Sequence, residues 1–334
     1  MSNAGRAIED LRWGVLGTAG IARTVIAGLR AAGAGRVEAV ASRDAAKGRA
    51  WADELGIPLS FGAYDDLLHS GEVDLVYNPL PNTLHAEWTV KALEAGLPVL
   101  CEKPLALHAS EGRSIADAAR RAGLPVAEAF MYRFHPVFEA VRAAIARGVI
   151  GRPSTMRSVF TFLVDDDAAT PASQGLGGGS LRDVGCYCVS LSRLMAGAEP
   201  IRASAVERRD HVDCTMLGIL EFPGAFLAQF ECSIENHERH EAEITGTEGT
   251  IRFPDPWFPG TESACWKLVQ GDRQQAFEVP GADPYGLETL DFARAVATGT
   301  PPRWPISDAV AGLAAMDALF EAARSGRTVR VAPP

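Results

Sequence analysis

Positive charge is scarce in this 334-residue chain: 32 Lys and Arg stand against 42 Asp and Glu, a formal net charge of −10. No basic run exceeds the pairs Arg120–Arg121 and Arg208–Arg209, which excludes nucleic acid or an anionic membrane as a bulk partner. Long apolar runs are missing too; none approaches the roughly 20 residues that span a bilayer. The opening residues, MSNAGRAIEDLRWG, are polar and hold no apolar core of a signal segment. Six cysteines in a chain this long form no disulfide scaffold, so a reducing cytoplasm is the expected setting. Cys186 and Cys188 lack a second pair at metal spacing, and no metal site is expected.

Hydrophobic residues make up 47% and charged residues 22%, the balance of a globular protein. The length suits two cores. The expected division is a dinucleotide-binding domain over 1–130 and a substrate-binding and oligomerisation domain over 131–334. The first part alternates strand and helix: strands at Arg12–Leu16, Val37–Ser42 and Leu59–Phe61, helices at Ile21–Ala32 and Ala45–Glu54. A doubly wound parallel sheet follows from six such strands with helical crossovers. After Gly151 the period becomes two, in Arg157–Val164, Arg202–Arg208, Cys214–Phe222, Phe226–Ile234 and Ala242–Gly246. Residues 222–225, Phe-Pro-Gly-Ala, form a hairpin turn between two of these strands. A helix is expected over Gly185–Met195, and two more at Leu287–Ala297 and Ile306–Ala323.

The chain is organised around Asp74–Pro104, a strand–helix–strand unit in which Thr83 is suited to cap the helix. In an open parallel sheet ligands bind beyond the carboxyl ends of the strands. Two loops reach that edge here. One carries Pro79, Leu80, Pro81, Asn82 and His85; the other carries Glu102, Lys103 and Pro104. His85 either lines the cofactor cleft or is a satisfied structural histidine. Lys103 at a strand end can orient a hydroxyl and stabilise developing negative charge. Gly17, Thr18, Ala19, Gly20, Ile21 and Ala22 join the first strand to the first helix, where backbone N–H groups can hold a pyrophosphate. The second strand ends Ser42-Arg43-Asp44. A hydroxyl and a forked cation suit a ribose 2′-phosphate, while Asp44 blurs the distinction.

A third cluster reads GGGSLRDVGCY over residues 177–187. Asp183 suits a helix amino-terminal cap, and Tyr187, four residues on, shares its face if the helix starts there. A carboxylate beside a phenol can bind and deprotonate an alcohol.

With these segments together, the chain resembles the Gfo/Idh/MocA oxidoreductases. WGVLGTAGIA, VASRD, YNPLPNTLHAEW, EKPLA, EAFMYRFHP, GGGSLRDVGCY and ITGTEGTIRF all carry the likeness, and the EKP and GG…DxGxY pair is its most specific part. The resemblance implies a Rossmann domain followed by an α/β domain with a large, mostly antiparallel open sheet, often a dimer or tetramer interface. It implies that Lys103, Asp183 and Tyr187 meet at the nicotinamide, and it adds Met131 and Arg133 to the cofactor-binding set. It also implies a cis Lys103–Pro104 bond. Many members have histidine where this chain has Tyr187; tyrosine resembles the branch of dihydrodiol dehydrogenases and NADP-dependent aldose 1-dehydrogenases.

The expected activity is therefore hydride transfer between NADP(H) and a hydroxyl-bearing carbon of a sugar or cyclic polyol, in preference to NAD(H). Tyr187 is the expected acid–base group. A 3-ketoreductase of a nucleotide-linked sugar is the alternative within the class. A redox-neutral NAD-dependent glycosidase and a non-catalytic cofactor sensor are alternatives outside it. Substrate contacts are expected from Phe160–Asp167, Asn236–His240 and Trp257–Glu262, and a homodimer or homotetramer from the second sheet.

Overall fold

The computed structural model describes residues 5–165 and 171–333, and the chain divides into two compact units. Residues 1–131 and 284–310 belong to the first, 132–283 and 311–334 to the second. Residues 166–170, which include Asp166 and Asp167 of one expected substrate segment, lie outside the described residues.

In the first unit six parallel strands run in the order β3 (Leu59–Phe61), β2 (Arg36–Ala41), β1 (Arg12–Leu16), β4 (Leu75–Asn78), β5 (Val99–Glu102) and β6 (Val126–Ala129). The order reverses between β1 and β4, which is where a doubly wound sheet opens its binding crevice. Helices α1 (Gly20–Ala31), α2 (Ala45–Leu55), α3 (Tyr64–Leu68), α4 (Asn82–Glu94) and α5 (Ala109–Ala122) form the crossovers. The central strands β1 and β4 are buried on both faces, which explains their near-continuous apolar runs. Helix α4 is capped at Pro81 with no side-chain bond, so Thr83 does not serve as the cap expected from sequence. Pro81 fixes the entry dihedral instead.

The chain returns to this unit late. Helix α6 (Pro136–Ala146) and helix α7 (Cys186–Ala196) belong to the second unit, but α8 (Pro284–Thr298) belongs to the first. Phe292, Ala293, Val296 and Ala297 join the core of Trp13, Val15, Val25 and Leu29. Trp13 donates its indole N–H to Ala34 O at 2.7 Å and tilts against Phe292 at 6.0 Å. A single cut along the chain does not reproduce this division, because α8 carries its apolar stripe back to the first sheet.

The second unit holds a nine-stranded sheet. Its order is β14 (Arg273–Pro280), β13 (Ser263–Gln270), β12 (Thr250–Phe253), β11 (Glu235–Gly246), β7 (Pro153–Leu163), β10 (Leu227–Ser233), β9 (Asp213–Glu221), β8 (Arg202–Arg209), β15 (Val329–Arg330). Only β7 and β10 pair in parallel. The sheet is thus mostly antiparallel, as the resemblance implies. The β9–β10 hairpin closes through Pro223–Ala225 as expected. The period-two reading missed β12 to β15. Helix α6 stacks Phe138 on Phe253 at 5.7 Å, and α9 (Ile306–Ser325) supplies Leu319 against the close approach of Gly218 and Phe230.

Candidate active site

At the end of β1, Gly17 has φ +85, and a Cβ there would press on Leu80 at 3.0 Å. Glycine lets the chain turn directly into α1. Ala19 is the amino-terminal cap and makes no side-chain cap bond, while a Cβ on Gly20 would meet nothing within 4 Å. The first N–H groups of α1 are therefore not covered by a side chain, which fits a pyrophosphate. Ser42 is buried at the end of β2 and Arg43 beside it is exposed. The Asp44 carboxylate is engaged elsewhere, accepting from Lys47 N at 3.0 Å and capping α2. That gives Asp44 a structural role in capping α2, one that does not depend on a ribose.

The turn that bears Lys103 is braced from several sides. The Tyr77 hydroxyl donates to Glu102 Oε1 at 2.6 Å, and Lys103 N donates to Glu102 Oε2 at 3.2 Å. Leu105 N donates to Glu128 Oε1 at 2.7 Å. His85 is buried, with Nδ1 2.8 Å from Pro104 O and Nε2 2.6 Å from Leu80 O. It joins the two loops through their backbone, the contacts of a satisfied structural histidine. Burial holds its pKa down; the two carbonyls oppose that shift and the charge of Lys103 adds to it. Asn78 pins the first loop, donating to His85 O and Thr89 Oγ1 and accepting from Leu80 N. The Lys103–Pro104 bond is cis.

The charges beneath this turn differ from one another. Burial pushes Glu102 upward, opposed by the Tyr77 hydroxyl and Lys103. Burial, then the charge and hydrogen bond of Glu102, hold the Tyr77 phenol well above its usual range. Tyr77 is therefore a fixed donor and no base. Glu288 on α8 is fully buried, and neither of its oxygens has a hydrogen-bond partner among the described residues. Burial first, then Glu102, Glu128 and Asp291, raise its pKa well above the ordinary carboxyl value, which favours the neutral acid.

In the second unit, a π-helical turn over Leu181–Gly185 precedes α7. Asp183 lies inside that turn, and the cap position is Ser180. The expected cap at Asp183 is corrected on this point: the start of the helix is satisfied from elsewhere. Asp213, at the head of β9, accepts from Leu181 N at 2.7 Å and from Ser180 Oγ at 3.1 Å. Tyr187 packs in an aromatic group, with ring centroids 5.3 Å from Phe160, 5.6 Å from Tyr132 and 5.9 Å from Trp257. The group continues through Phe160 to His240 at 4.8 Å and to the exposed Phe258 at 6.1 Å. Phe160, His240, Trp257 and Phe258 fall in the three segments expected to meet substrate. Met131 and Arg133 are both buried in the 3₁₀ turn Met131–Phe134.

Sequence reading missed Asn78, Glu128, Asp213 and Glu288. Asn78 had a local signal, an asparagine at a strand end before proline. The other three act across long separations and had none. Among the described residues no group of three His, Cys, Asp or Glu side chains is arranged for a metal, and no helix is long and apolar enough to cross a membrane.

Known proteins agree with this architecture. The family model described as an oxidoreductase family with an NAD-binding Rossmann fold matches residues 11–130, and the Gfo/Idh/MocA C-terminal domain matches 138–252. D-xylose 1-dehydrogenase (NADP(+)) 2 of Haloferax volcanii is 38% identical over 327 residues, 96% of this chain and 100% of that one. Trans-1,2-dihydrobenzene-1,2-diol dehydrogenase of Bos taurus is 34% identical over 81% of each. The crystal structure of KijD10, a 3-ketoreductase from Actinomadura kijaniata solved with NADP and TDP-benzene, superposes with a TM-score of 0.90 at 30% identity. It covers 94% of this chain and 98% of that one. With both halves of the family pattern matched in sequence and in fold, the chain belongs to the Gfo/Idh/MocA oxidoreductases.

Proposed function

We propose that this protein is an NADP(H)-dependent dehydrogenase acting on a hydroxyl-bearing carbon of a sugar, cyclic polyol or diol. The observation that carries the cofactor choice is the end of β2, where Ser42 and exposed Arg43 remain for a 2′-phosphate while Asp44 caps α2. Gly17, Thr18, Ala19, Gly20, Ile21 and Ala22 would hold the pyrophosphate at the start of α1. The loops of Pro79–Asn82 and Glu102–Lys103, with Met131 and Arg133, would flank the nicotinamide, and His85 would set the two loops at a fixed spacing. When bound, the cofactor supplies the hydride acceptor or donor.

The chain's own groups do the rest. Tyr187 takes the hydroxyl proton in oxidation and returns it in reduction. Lys103 favours the phenolate and polarises the substrate oxygen. Asp183 holds the substrate hydroxyl or the lysine. The test is a panel of aldoses, polyols and diols scored for NADPH formation. A sugar or diol that reduces NADP⁺ supports the reading, and a silent panel removes it. The likeness to KijD10 favours one second reading, reduction of a keto group on a nucleotide-linked sugar. NADPH consumption with such a ketone, and none with free aldoses, would select it.

The reading includes a cytoplasmic homo-oligomer formed through the second sheet. Val206, Leu217, Ile219 and Leu227 are exposed, and the strand registers put them on one face of β8, β9 and β10. Exposed apolar side chains grouped on one sheet face support an interface there. Leu217→Glu should give monomers by light scattering; an unchanged mass would move the interface elsewhere.

A further inference from the structure

We infer that Asp213 is the positioning residue for the proton-transfer segment: its carboxylate fixes the turn from which Asp183 and Tyr187 project. The inference rests on the reading that Tyr187 transfers the proton.

The turn needs outside support. A π-helical turn is uncommon and costs more than the α-helix that would replace it, yet residues 181–185 adopt it. The opening N–H groups of a helix need acceptors, and Ser180 makes no side-chain cap bond. Asp213 Oδ2 takes the N–H of Leu181 at 2.7 Å and the hydroxyl of Ser180 at 3.1 Å, reaching back 32 residues along the chain to do so. At 1% exposure it is shielded from bulk solvent. Burial pushes its pKa up, and the bonds from Leu181 N and Ser180 Oγ oppose that shift by favouring the carboxylate.

Gly179 makes this contact possible. Its φ is +116, and a Cβ at this position would collide with the Asp213 carboxylate. Asp183 N donates to Gly179 O at 2.9 Å, so the residue that admits Asp213 also carries the first backbone bond of Asp183. The far end is held as closely. A Cβ on Gly185 would stand 2.6 Å from Cys232 Sγ on β10 and 2.9 Å from Leu181 Cδ1. The turn is gripped by β9 at its entry and by β10 at its exit, and Tyr187 follows two residues later.

Removing the grip at the entry should shift Asp183 and Tyr187 without touching either. Misplacement by about 1 Å costs on the order of 10²-fold in rate, so Asp213→Ala should lose roughly 10- to 100-fold in kcat. The rate is expressed per NADPH-binding site, counted by fluorescence titration, so that unfolded protein drops out. NADPH affinity should stay within a few-fold. Asp213→Asn keeps an acceptor oxygen for Leu181 N and should restore most of kcat, which a general loss of stability would not do. Gly179→Ala leaves Asp213 in the chain but pushes its carboxylate away, and should fall with Asp213→Ala; this variant carries the test if Asp213→Ala does not fold. Normal kcat in both Asp213→Ala and Gly179→Ala, on a substrate that Tyr187→Phe cannot turn over, overturns the inference alone. Full activity in Tyr187→Phe instead removes the reading beneath it.

Discussion

The two turns that bear the proposed catalytic groups are built in opposite ways. Lys103 sits on a turn braced by Tyr77, His85, Glu102 and Glu128, with bonds to several backbone atoms. Tyr187 follows a π turn whose entry is held by the carboxylate of Asp213 and whose exit packs on Cys232. The first turn is braced within one sheet edge, the second by a carboxylate reaching back from a distant strand. Loss of one brace near Lys103 should cost stability more than rate, whereas loss of Asp213 should cost rate.

The broadest test replaces the groups themselves. Tyr187→Phe and Lys103→Ala should each lose about 10²–10⁴ in kcat, the usual cost of removing a positioned acid–base group. NADPH affinity should change several-fold at most. The double variant should be little worse than either single one, because the two act as a unit; multiplicative losses in steady-state kinetics would separate them. Next in size is the cofactor edge. Arg43→Ala should narrow the preference for NADPH over NADH by about one to two decades, since a charge-assisted contact is worth roughly 1.5–3 kcal/mol. Equal binding of both cofactors before and after the change would remove the 2′-phosphate argument.

His85→Ala sharpens the contrast between the turns. It removes the buried imidazole that lies between the carbonyls of Pro104 and Leu80 and, when neutral, donates to one of them. An unsatisfied buried group costs about 1–3 kcal/mol. Denaturant unfolding should show that loss while kcat falls only a few-fold. A collapse of kcat with unchanged stability would mean that His85 acts on the reaction rather than bracing the turn.

The smallest effect is in pH. The folded-state pKa of Glu288 is raised, so between the ordinary carboxyl range and that raised value the unfolded chain ionises the group while the folded chain keeps its proton. Stability from this group is full below the unfolded pKa and declines as pH rises. Glu288→Gln should flatten that slope, read as Tm against pH from mildly acidic to mildly alkaline buffer. An identical slope in both proteins would show that the acid does not stay neutral.

The sequence disclosed the first unit well because its signals are local. Strand β1 runs Arg12–Leu16 as expected, and the Lys103 turn stands at the end of β5. Apolar runs, glycines and prolines mark these elements within a few residues of where they act. The second unit was read less completely. Strands β13 and β14 are paired through Gly271 and Asp272, a usable hairpin signal, and Ala264, Trp266 and Leu268 alternate along β13, but the residues of β14 are mostly exposed. The placement of Asp183 failed for a different reason. A π turn has no sequence pattern of its own, and its acceptor lies on a strand far along the chain. Glu288 was equally hidden, since nothing near it in sequence announces that an acid will be buried against β-strand ends.

The late return of α8 also bears on how the protein is made. The ribosome delivers Trp13 and the inner face of α1 long before Phe292 and Val296, which complete their core. Domains generally fold as units as synthesis proceeds, but this one must wait for α8, which follows the body of the second unit. Until then the nascent first unit exposes an apolar strip about one helix wide, and the second unit forms while that strip is open. A chain stopped before Pro284 would carry a nearly complete cofactor-binding motif on an unfinished core, and would be a target for chaperones rather than a smaller enzyme.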